Sequence, residues 1–336
     1  MSLRTPCVLC LTLLLSLPVQ AFGPHGHQTV GGIADQLLAG SNTAKKVRAI
    51  LGSNLQMAAV WADCAKGVGQ AKVGAPFVYD GSGPYPECTY YENPASQKAM
   101  EDFVRRNATH CYANSSDEVC RHKSYHYTDV AIQRDHYAKG LAGTSDHDLI
   151  SAMQACITVL QGAKSPAPFQ IASKKEALRL LAHYLGDVHQ PLHVVSIYLD
   201  AAGHAVDPDA AAGLDPKTST KGGNTLLLGA SKLHGLWDSI PGSLATDLLA
   251  GAGVAAARAV PASAGELAQW PTAWATDTVM SGKPALAGLS FGPKAANGSW
   301  PATAAAGYCK ERAALQKQQI IKAGARLAEL LRAIWP

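Results

Sequence analysis

The sequence predicts a mainly α-helical single domain with long loops. Apolar residues recur three and four positions apart in several segments, which is the period of an amphipathic helix. Strand signals are few, Thr225 to Leu228 being one. No linker separates two self-contained patterns and no internal repeat occurs, so we expect one domain over residues 22–336. The helical period is seen at Val30, Ile33 and Leu37; Val47, Ile50 and Leu51; Leu149, Met153, Cys156, Ile157 and Leu160; and Leu327, Leu330, Leu331 and Ile334.

Residues 1–21 predict a secretory signal peptide. They combine a single charge, Arg4, with the apolar run Val8 to Leu17 and the cleavage-type ending Val19-Gln20-Ala21. A membrane anchor is disfavoured because this apolar run has about half of the roughly twenty residues that a spanning helix needs. No later segment is expected to span a membrane. Cleavage after Ala21 would make Phe22 the mature N-terminus of a secreted or periplasmic protein.

The charge and cysteine content constrain the class of protein. The formal net charge is +4 and falls to +3 when Arg4 is removed with the signal peptide, so a broad basic nucleic-acid surface is excluded. A polyanion would have to bind at a local site, such as bound metal cations.

The exported chain would carry up to three disulfides, of which only Cys111 with Cys120 is close enough in sequence to predict. Its cysteines are Cys64, Cys88, Cys111, Cys120, Cys156 and Cys309.

The segment from Ala177 to His193 places polar side chains in an otherwise apolar helix. Ser173 and Glu176 form a capping-box pattern, which predicts a helix that begins near Lys174. Apolar residues occupy nearly every side of this helix, so we expect it to be buried. His183 and Asp187 are four residues apart and therefore project from one face.

A buried Asp187 needs a cation or several hydrogen-bond donors. A structural His–Asp or Arg–Asp pair would satisfy this need. The pattern recurs, however, because His234 and Asp238 are again four apart in an apolar setting. The two pairs together with His193 favour a metal site over a structural pair.

Two segments interrupt the helical pattern. The segment from Asp63 to His126 is rich in Gly, Pro, Tyr and Cys, and the segment from Asp200 to Gly222 is rich in Ala, Asp, Gly and Lys. Both predict loops around the helical core.

The candidate metal ligands are imidazoles and carboxylates, which suit zinc, and they are too numerous for one tetrahedral ion. They include the free amine that cleavage would create. In chain order they are Phe22, His27, Asp63, His126, His183, Asp187, His193, His234 and Asp238.

These motifs resemble those of the S1/P1 nuclease family of zinc-dependent nucleases. The resemblance runs from residue 22 to the C-terminal helix and includes Phe-Gly-Pro-His-Gly-His, Trp-Ala-Asp, His-Tyr-Thr-Asp, His-Tyr-Leu-Gly-Asp-Val-His-Gln-Pro-Leu-His, Gly-Gly-Asn and Leu-His-Gly-Leu-Trp-Asp. It implies the helical fold shared with zinc-dependent phospholipase C. It also implies a single-strand nuclease that yields 5'-phosphate products and that can act as a 3'-nucleotidase.

Carried over to this sequence, the resemblance implies three zinc ions. One would be held by Asp63, His126, His183 and Asp187; a second by the amine and carbonyl of Phe22, His27 and Asp187; and a third by His193, His234 and Asp238. Asp187 would bridge the first two ions.

The resemblance also implies roles for other side chains. Asp63, Lys66 and Asn224 are candidates for catalysis, with Asn224 either contacting the scissile phosphate region or bracing the site. Tyr127 and Asp129 are candidates to stack on and read a base. The expected partners are single-stranded nucleic acid and nucleotides, with no stable membrane association after cleavage and a monomeric state.

The sequence departs from the family pattern in three ways. The family usually begins with Trp, whereas this chain has Phe22; because the ligands there are backbone atoms, we expect binding to persist. Lys66 presents a point charge where the family has Lys or Arg. The Asp63 to His126 segment is longer than in short fungal members.

Two other functions fit the same residues. A phospholipase C of the same fold is disfavoured by Tyr127 and Asp129, and a non-catalytic zinc-binding protein is disfavoured by the completeness of the ligand set. The remaining histidines are expected to be surface or supporting groups. They are His25, His110, His122, His136, His147, His189 and His204.

Overall fold

The computed structural model describes residues 22–80, 86–113, 115–210 and 213–336. The chain is 53% helical with 8% strand, which confirms the predicted mainly α-helical fold. The predicted signal peptide lies outside the described residues. A shared apolar core extends from Phe22 to Leu331.

The helices and strands have the following bounds. The α-helices are α1 (Gly23–Leu38), α2 (Asn42–Leu51), α3 (Leu55–Ala58), α4 (Trp61–Ala65), α5 (Pro94–Asn107), α6 (Leu149–Leu160), α7 (Lys174–Asp187), α8 (Leu233–Asp238), α9 (Gly242–Asp247), α10 (Gly253–Arg258), α11 (Trp270–Leu286) and α12 (Tyr308–Ile334). The strands are β1 (Val68–Gly69), β2 (Val78–Tyr79), β3 (Val130–Ala131), β4 (Val195–Ser196), β5 (Tyr198–Leu199), β6 (Ala205–Val206), β7 (Leu226–Leu228), β8 (Ser231–Lys232), β9 (Leu289–Phe291) and β10 (Trp300–Ala304).

The described strands are short and form small sheets among the helices. One sheet has the order β8-β7-β10-β9, in which β7 and β10 are parallel and the other pairs are antiparallel. The pairs β1-β2, β3-β4 and β5-β6 form two-stranded sheets. The strand expected near Thr225 to Leu228 is β7, the central parallel partner of β10.

Helix α7 lies at the centre of the fold. It begins at Lys174, as the capping box predicts, because the Ser173 side chain accepts a hydrogen bond from the backbone N–H of Glu176. From Leu180 to Asp187 every residue is buried. The helix packs against α1, α3, α4, α6 and α12, so polar groups on it face other protein elements rather than solvent.

Glycines let α1 approach its neighbours closely. A Cβ atom on Gly31 would lie 2.5 Å from the carbonyl oxygen of Leu55, and one on Gly324 of α12 would lie 2.7 Å from the Cβ of Ile33. Both distances are shorter than side chains tolerate. Glycine at these two positions therefore allows α1, which carries His27, to pack closely against the core beside α7.

The prediction of loops from Asp63 to His126 was wrong in part, because this segment contains α5. Pro94 stands at the start of the helix, where its missing N–H costs nothing, and the Asn93 side chain accepts from the N–H of Ser96. Phe103 and Val104 pack into the core. Among its described residues, the Asp200 to Gly222 segment contains β6, which pairs with β5 just before the segment, and the short 3-10 helix Pro216–Thr218.

Two disulfides join described cysteines. Cys111 pairs with Cys120, as the spacing predicts, and Cys64 pairs with Cys88. The second disulfide ties the 3-10 helix Pro86–Tyr91 to α4, which carries Asp63. Cys156 is a buried thiol.

One described stretch, Leu233–Arg258, is long and apolar enough by composition to cross a membrane, which corrects the expectation that no segment after the signal peptide would qualify. It is divided into α8, α9 and α10, with Pro241 after α8 and a positive φ of 118° at Gly251. Its first helix carries the buried residues His234 and Asp238. The breaks between these helices and the buried residues of α8 are typical of short helices that pack against the core of a domain.

Candidate metal centre

His183 and Asp187 lie one turn apart on α7 and are both completely buried. His183 Nε2 is 3.2 Å from Asp187 Oδ2. The other ring nitrogen, Nδ1, lies 2.6 Å from the carbonyl oxygen of Ala59, which accepts its hydrogen bond. This contact fixes the ring and leaves the lone pair of Nε2 directed at Asp187, an arrangement typical of metal-binding histidines.

Asp63 of α4 and His126 complete a first group around these two residues. Asp63 Oδ1 is 3.5 Å from His183 Nε2 and 3.9 Å from His126 Nδ1. His126 Nδ1 lies 3.0 Å from Asp187 Oδ2. Three helical segments therefore bring four nitrogen and oxygen ligand atoms to one buried point, where a metal ion could be held.

His27 of α1 approaches Asp187 from the other side. His27 Nε2 is 3.5 Å from Asp187 Oδ1, and its ring is stacked on that of His183 with centroids 3.6 Å apart. Both ring nitrogens of His27 and Oδ1 of Asp187 are buried with no hydrogen-bond partner in the described part of the chain. Burying unpartnered polar atoms is costly, so these atoms fit a cation as their missing partner.

The two oxygens of Asp187 face different groups. Oδ2 faces His126 and His183, whereas Oδ1 faces His27. Oδ1 also lies 3.6 Å from His193 Nδ1. A carboxylate in this orientation is suited to bridge two cations.

His193, His234 and Asp238 form a second group. The Nε2 atoms of the two histidines are 3.1 Å apart, and His234 Nε2 is 3.4 Å from Asp238 Oδ2. His193 Nδ1 donates to the carbonyl of His126, and His234 Nδ1 donates to the carbonyl of Gly222. Both rings therefore present Nε2 toward the carboxylate.

Burial and neighbouring charges together set the protonation of the site. Burial lowers the pKa of His126 to about 3, with Lys66 adding to the shift, and it lowers the pKa of His234 to about 3, with His193 adding to it. Burial alone would raise the pKa of Asp187, but His183 and His193 bring it well below its usual range. Neutral imidazoles and an ionised carboxylate are the forms that bind metal.

Gln190 is a supporting residue that sequence reasoning missed. It is completely buried, its Nε2 donates to Asp238 Oδ1 over 2.6 Å, and its Oε1 accepts from the N–H of Leu192. Asp238 Oδ2 has no hydrogen-bond partner among the described residues and faces His234. The position of Gln190 between His189 and Pro191, inside the histidine motif, was the available signal.

Lys66 and Asn224 lie differently with respect to the ligand groups. Lys66 Nζ is 2.7 Å from Asp63 Oδ1, and the Lys66 side chain is 22% exposed. The ammonium group of Lys66 therefore lies between the ligand cluster and solvent. Asn224 Nδ2 donates to the carbonyl of Lys221. That bond closes the turn whose Gly222 carbonyl accepts from His234 Nδ1.

Tyr127 and Asp129 follow His126 on the same segment and are both half-buried. The Tyr127 hydroxyl donates to Asp117 over 2.9 Å. Burial raises the pKa of Asp129 to about 7, although a hydrogen bond from the Gly222 backbone and the charge of Lys221 oppose the shift. A partly buried aromatic ring and a carboxyl group therefore directly follow the ligand candidate His126.

The remaining sequence candidates have mixed locations. Phe22 is completely buried at the start of α1, and a Cβ on Gly23 would lie 3.3 Å from the carbonyl oxygen of Asp238, so the chain enters the fold beside the second group.

His189 and His122 are buried rather than on the surface. His189 is held by the Leu185 carbonyl and by Arg326. The exposed histidines are His25, His136 and His204.

Comparison with known proteins agrees with this geometry. A family model described as S1/P1 nuclease matches residues 22–336, essentially the whole described chain. A search of curated proteins found no match. Members of the matched family are phosphodiesterases, and the buried His and Asp groups are suited to hold the metal ions on which such hydrolases depend. The chain belongs to the S1/P1 nuclease family.

Proposed function

We propose that the protein is an exported endonuclease that uses three zinc ions to hydrolyse phosphodiester bonds of single-stranded DNA and RNA, leaving 5'-phosphate products, and that it also acts as a 3'-nucleotidase. The observation that carries the proposal is the pair of Asp187 oxygens facing separate histidine groups. The second group, His193, His234 and Asp238, supports a third ion. The two disulfides and the signal-type N-terminal sequence support export.

The donor set fits zinc. Asp63, His126, His183 and Asp187 would hold one ion, and His27 with Asp187 and the Phe22 backbone would hold another. Nitrogen and carboxylate oxygen ligands without cysteine are typical of catalytic zinc. When bound, zinc supplies Lewis-acid stabilisation of negative charge on the phosphate and lowers the pKa of a water nucleophile.

The side chains of this protein orient the substrate around those sites. Lys66 places a positive charge at the solvent side of Asp63, where it can attract a phosphoryl oxygen. Asn224 keeps the 220–225 turn closed, so that the Gly222 carbonyl orients His234 and the Gly222 N–H donates to the Ser196 hydroxyl. We assign Lys66 to phosphate contact and Asn224 to support of the site.

Selectivity for single strands is assigned to Tyr127 and Asp129. Metal ions attract phosphate whether or not the nucleic acid is paired. A base can stack on the partly buried ring of Tyr127 and bond to Asp129 only after it has left a duplex. The same requirement argues for a nuclease rather than a phospholipase C, whose substrate has no base.

The test is the Tyr127→Ala variant. A stacked base contributes on the order of 1 to 3 kcal/mol, so KM for a short single-stranded oligonucleotide should rise roughly 5- to 150-fold while zinc content is unchanged. Tyr90→Ala is the companion variant, because Tyr90 is an exposed aromatic on the long Asp63 to His126 segment. A raised KM in Tyr90→Ala but not in Tyr127→Ala would place base recognition on that segment instead.

A second measurement separates catalysis from metal binding alone. Chelator treatment should abolish cleavage of denatured DNA, and added zinc should restore it with 5'-phosphate ends. Release of phosphate from a 3'-nucleotide checks the additional activity. A purified protein with three zinc ions and no cleavage would be a zinc-binding protein without catalysis.

A further inference from the structure

Asp117 contacts the aromatic ring to which base stacking is assigned. The Tyr127 hydroxyl donates to Asp117 Oδ2 over 2.9 Å, and both residues are half-buried. At the backbone, the Tyr127 carbonyl accepts from the N–H of Leu149. The hydroxyl is the only polar atom of the side chain, so this hydrogen bond anchors the outer end of the ring.

Asp117 belongs to a loop that the rest of the fold holds in place. The Cys111–Cys120 disulfide closes the loop. The backbone of Cys111 also exchanges two hydrogen bonds with Gln70, through the Gln70 N–H and the Gln70 side-chain oxygen. At the other end, the N–H of Thr109 donates to the carbonyl of Val119. Asp117 is thus presented from a constrained loop rather than from a free chain.

Asp129, the other polar group of this pocket, is held by different residues. Its N–H donates to the Gly143 carbonyl, and its own carbonyl accepts from the Tyr198 hydroxyl. The loss of Asp117 would therefore free the Tyr127 ring without releasing Asp129.

We propose that Asp117 is a positioning residue that sets the pose of Tyr127 and so makes the disulfide-closed loop 111–120 a determinant of base recognition. This inference rests on the proposed function, since it assumes that a base stacks on Tyr127. A ring already held in its binding pose loses less side-chain freedom when the base arrives, and the base binds more tightly for that reason.

The experiment removes the hydrogen bond from each end. Asp117→Ala and Tyr127→Phe should each raise KM for a single-stranded oligonucleotide about two- to tenfold, the range for one hydrogen bond. We expect kcat and zinc content to stay at wild-type values. The double variant should be no worse than either single variant, because both changes delete the same interaction.

Two controls exclude a general effect of the loop. Glu118→Ala removes the adjacent acidic side chain, which is exposed and pairs with His147 instead of Tyr127, and it should leave KM unchanged. An oligonucleotide with abasic sugars at the cleaved position should bind wild type and Asp117→Ala equally, since it has no base to stack. Tyr127→Phe keeps the ring volume, so the test does not depend on whether Asp117→Ala folds.

The inference is overturned if Asp117→Ala behaves like Glu118→Ala, if the two single effects multiply in the double variant, or if the abasic substrate shows the same loss. An increase in KM for Tyr127→Ala alone would then preserve the proposed function. If Tyr127→Ala itself leaves KM unchanged, both the proposed function of the pocket and this inference are wrong.

Discussion

A Cβ atom on Gly186 would lie 2.5 Å from Nδ1 of His27, so these two residues are in direct contact across the α1–α7 interface. Glycine is a poor helix residue, and alanine at this position would gain roughly 1 kcal/mol of helix propensity. The His27 ring requires the space that a side chain would fill, which explains why a glycine stands beside Asp187. Sequence reasoning did not identify Gly186 as part of the site.

The first prediction follows from this contact. Gly186→Ala should push His27 away from Asp187, lower the zinc content by one ion and reduce kcat/KM at least tenfold, because ligand geometry tolerates little displacement. Gly242→Ala is the matched control, since a Cβ there meets nothing within 4 Å. Metal analysis and oligonucleotide kinetics on both variants check it, and a fully loaded Gly186→Ala enzyme would contradict the contact argument.

The second prediction compares two buried carboxylates. Asp187→Asn should impair two metal ions at once, because its oxygens face both His27 and His126, whereas Asp238→Asn should impair one. Asparagine keeps the shape of the side chain but not its charge. The number of zinc ions per chain is measured in each variant, and equal loss of a single ion in both would rule out bridging by Asp187.

The third prediction concerns Gln190. Gln190→Met preserves much of the volume but removes the hydrogen bond that orients Asp238. Loss of such a supporting contact typically weakens metal affinity by roughly 10- to 100-fold, so one zinc should be lost at lower chelator concentration. Gln154→Met is the control, because Gln154 bonds to the Ala268 carbonyl instead. Identical chelator titrations for the two variants would count against an orienting role.

The fourth prediction concerns the N-terminus. One extra residue before Phe22 would convert a free amine into an amide, which is a poor ligand, so the protein should lose one zinc and most of its activity. The burial of Phe22 and the proximity of Gly23 to Asp238 motivate this expectation. A residue added after Pro336 serves as control. Three zinc ions and full activity in the extended protein would show that the amine is not a ligand.

The fifth prediction concerns pH and stability. Burial, aided by Lys123, lowers the pKa of His122 well below 6.5, so below that pH the unfolded chain binds a proton that the folded chain does not. The free energy of unfolding should therefore decrease as the pH drops below 6.5. Between pH 6.5 and 5 the wild type should lose up to about 2 kcal/mol more of this free energy than His122→Phe does. Urea unfolding at both pH values measures it.

Local sequence patterns predict the central helix and its chemistry. The capping box at Ser173 set the start of α7, and the spacing of His183 and Asp187 put both on one face, because helix geometry depends only on local separation. The same reasoning missed α5, since the Gly, Pro and Cys residues around it obscured the cap at Asn93 and the apolar face of Phe103.

Only the tertiary structure decided which groups meet. Asp63 and His126 reach His183 from separate segments, and Asp117 reaches Tyr127 from a disulfide-closed loop. Gln190 contacts Asp238 across 48 positions of sequence. Local periodicity specifies the face on which a side chain lies, but the partner that it meets depends on how elements distant in sequence pack together, and that packing is determined by the whole core.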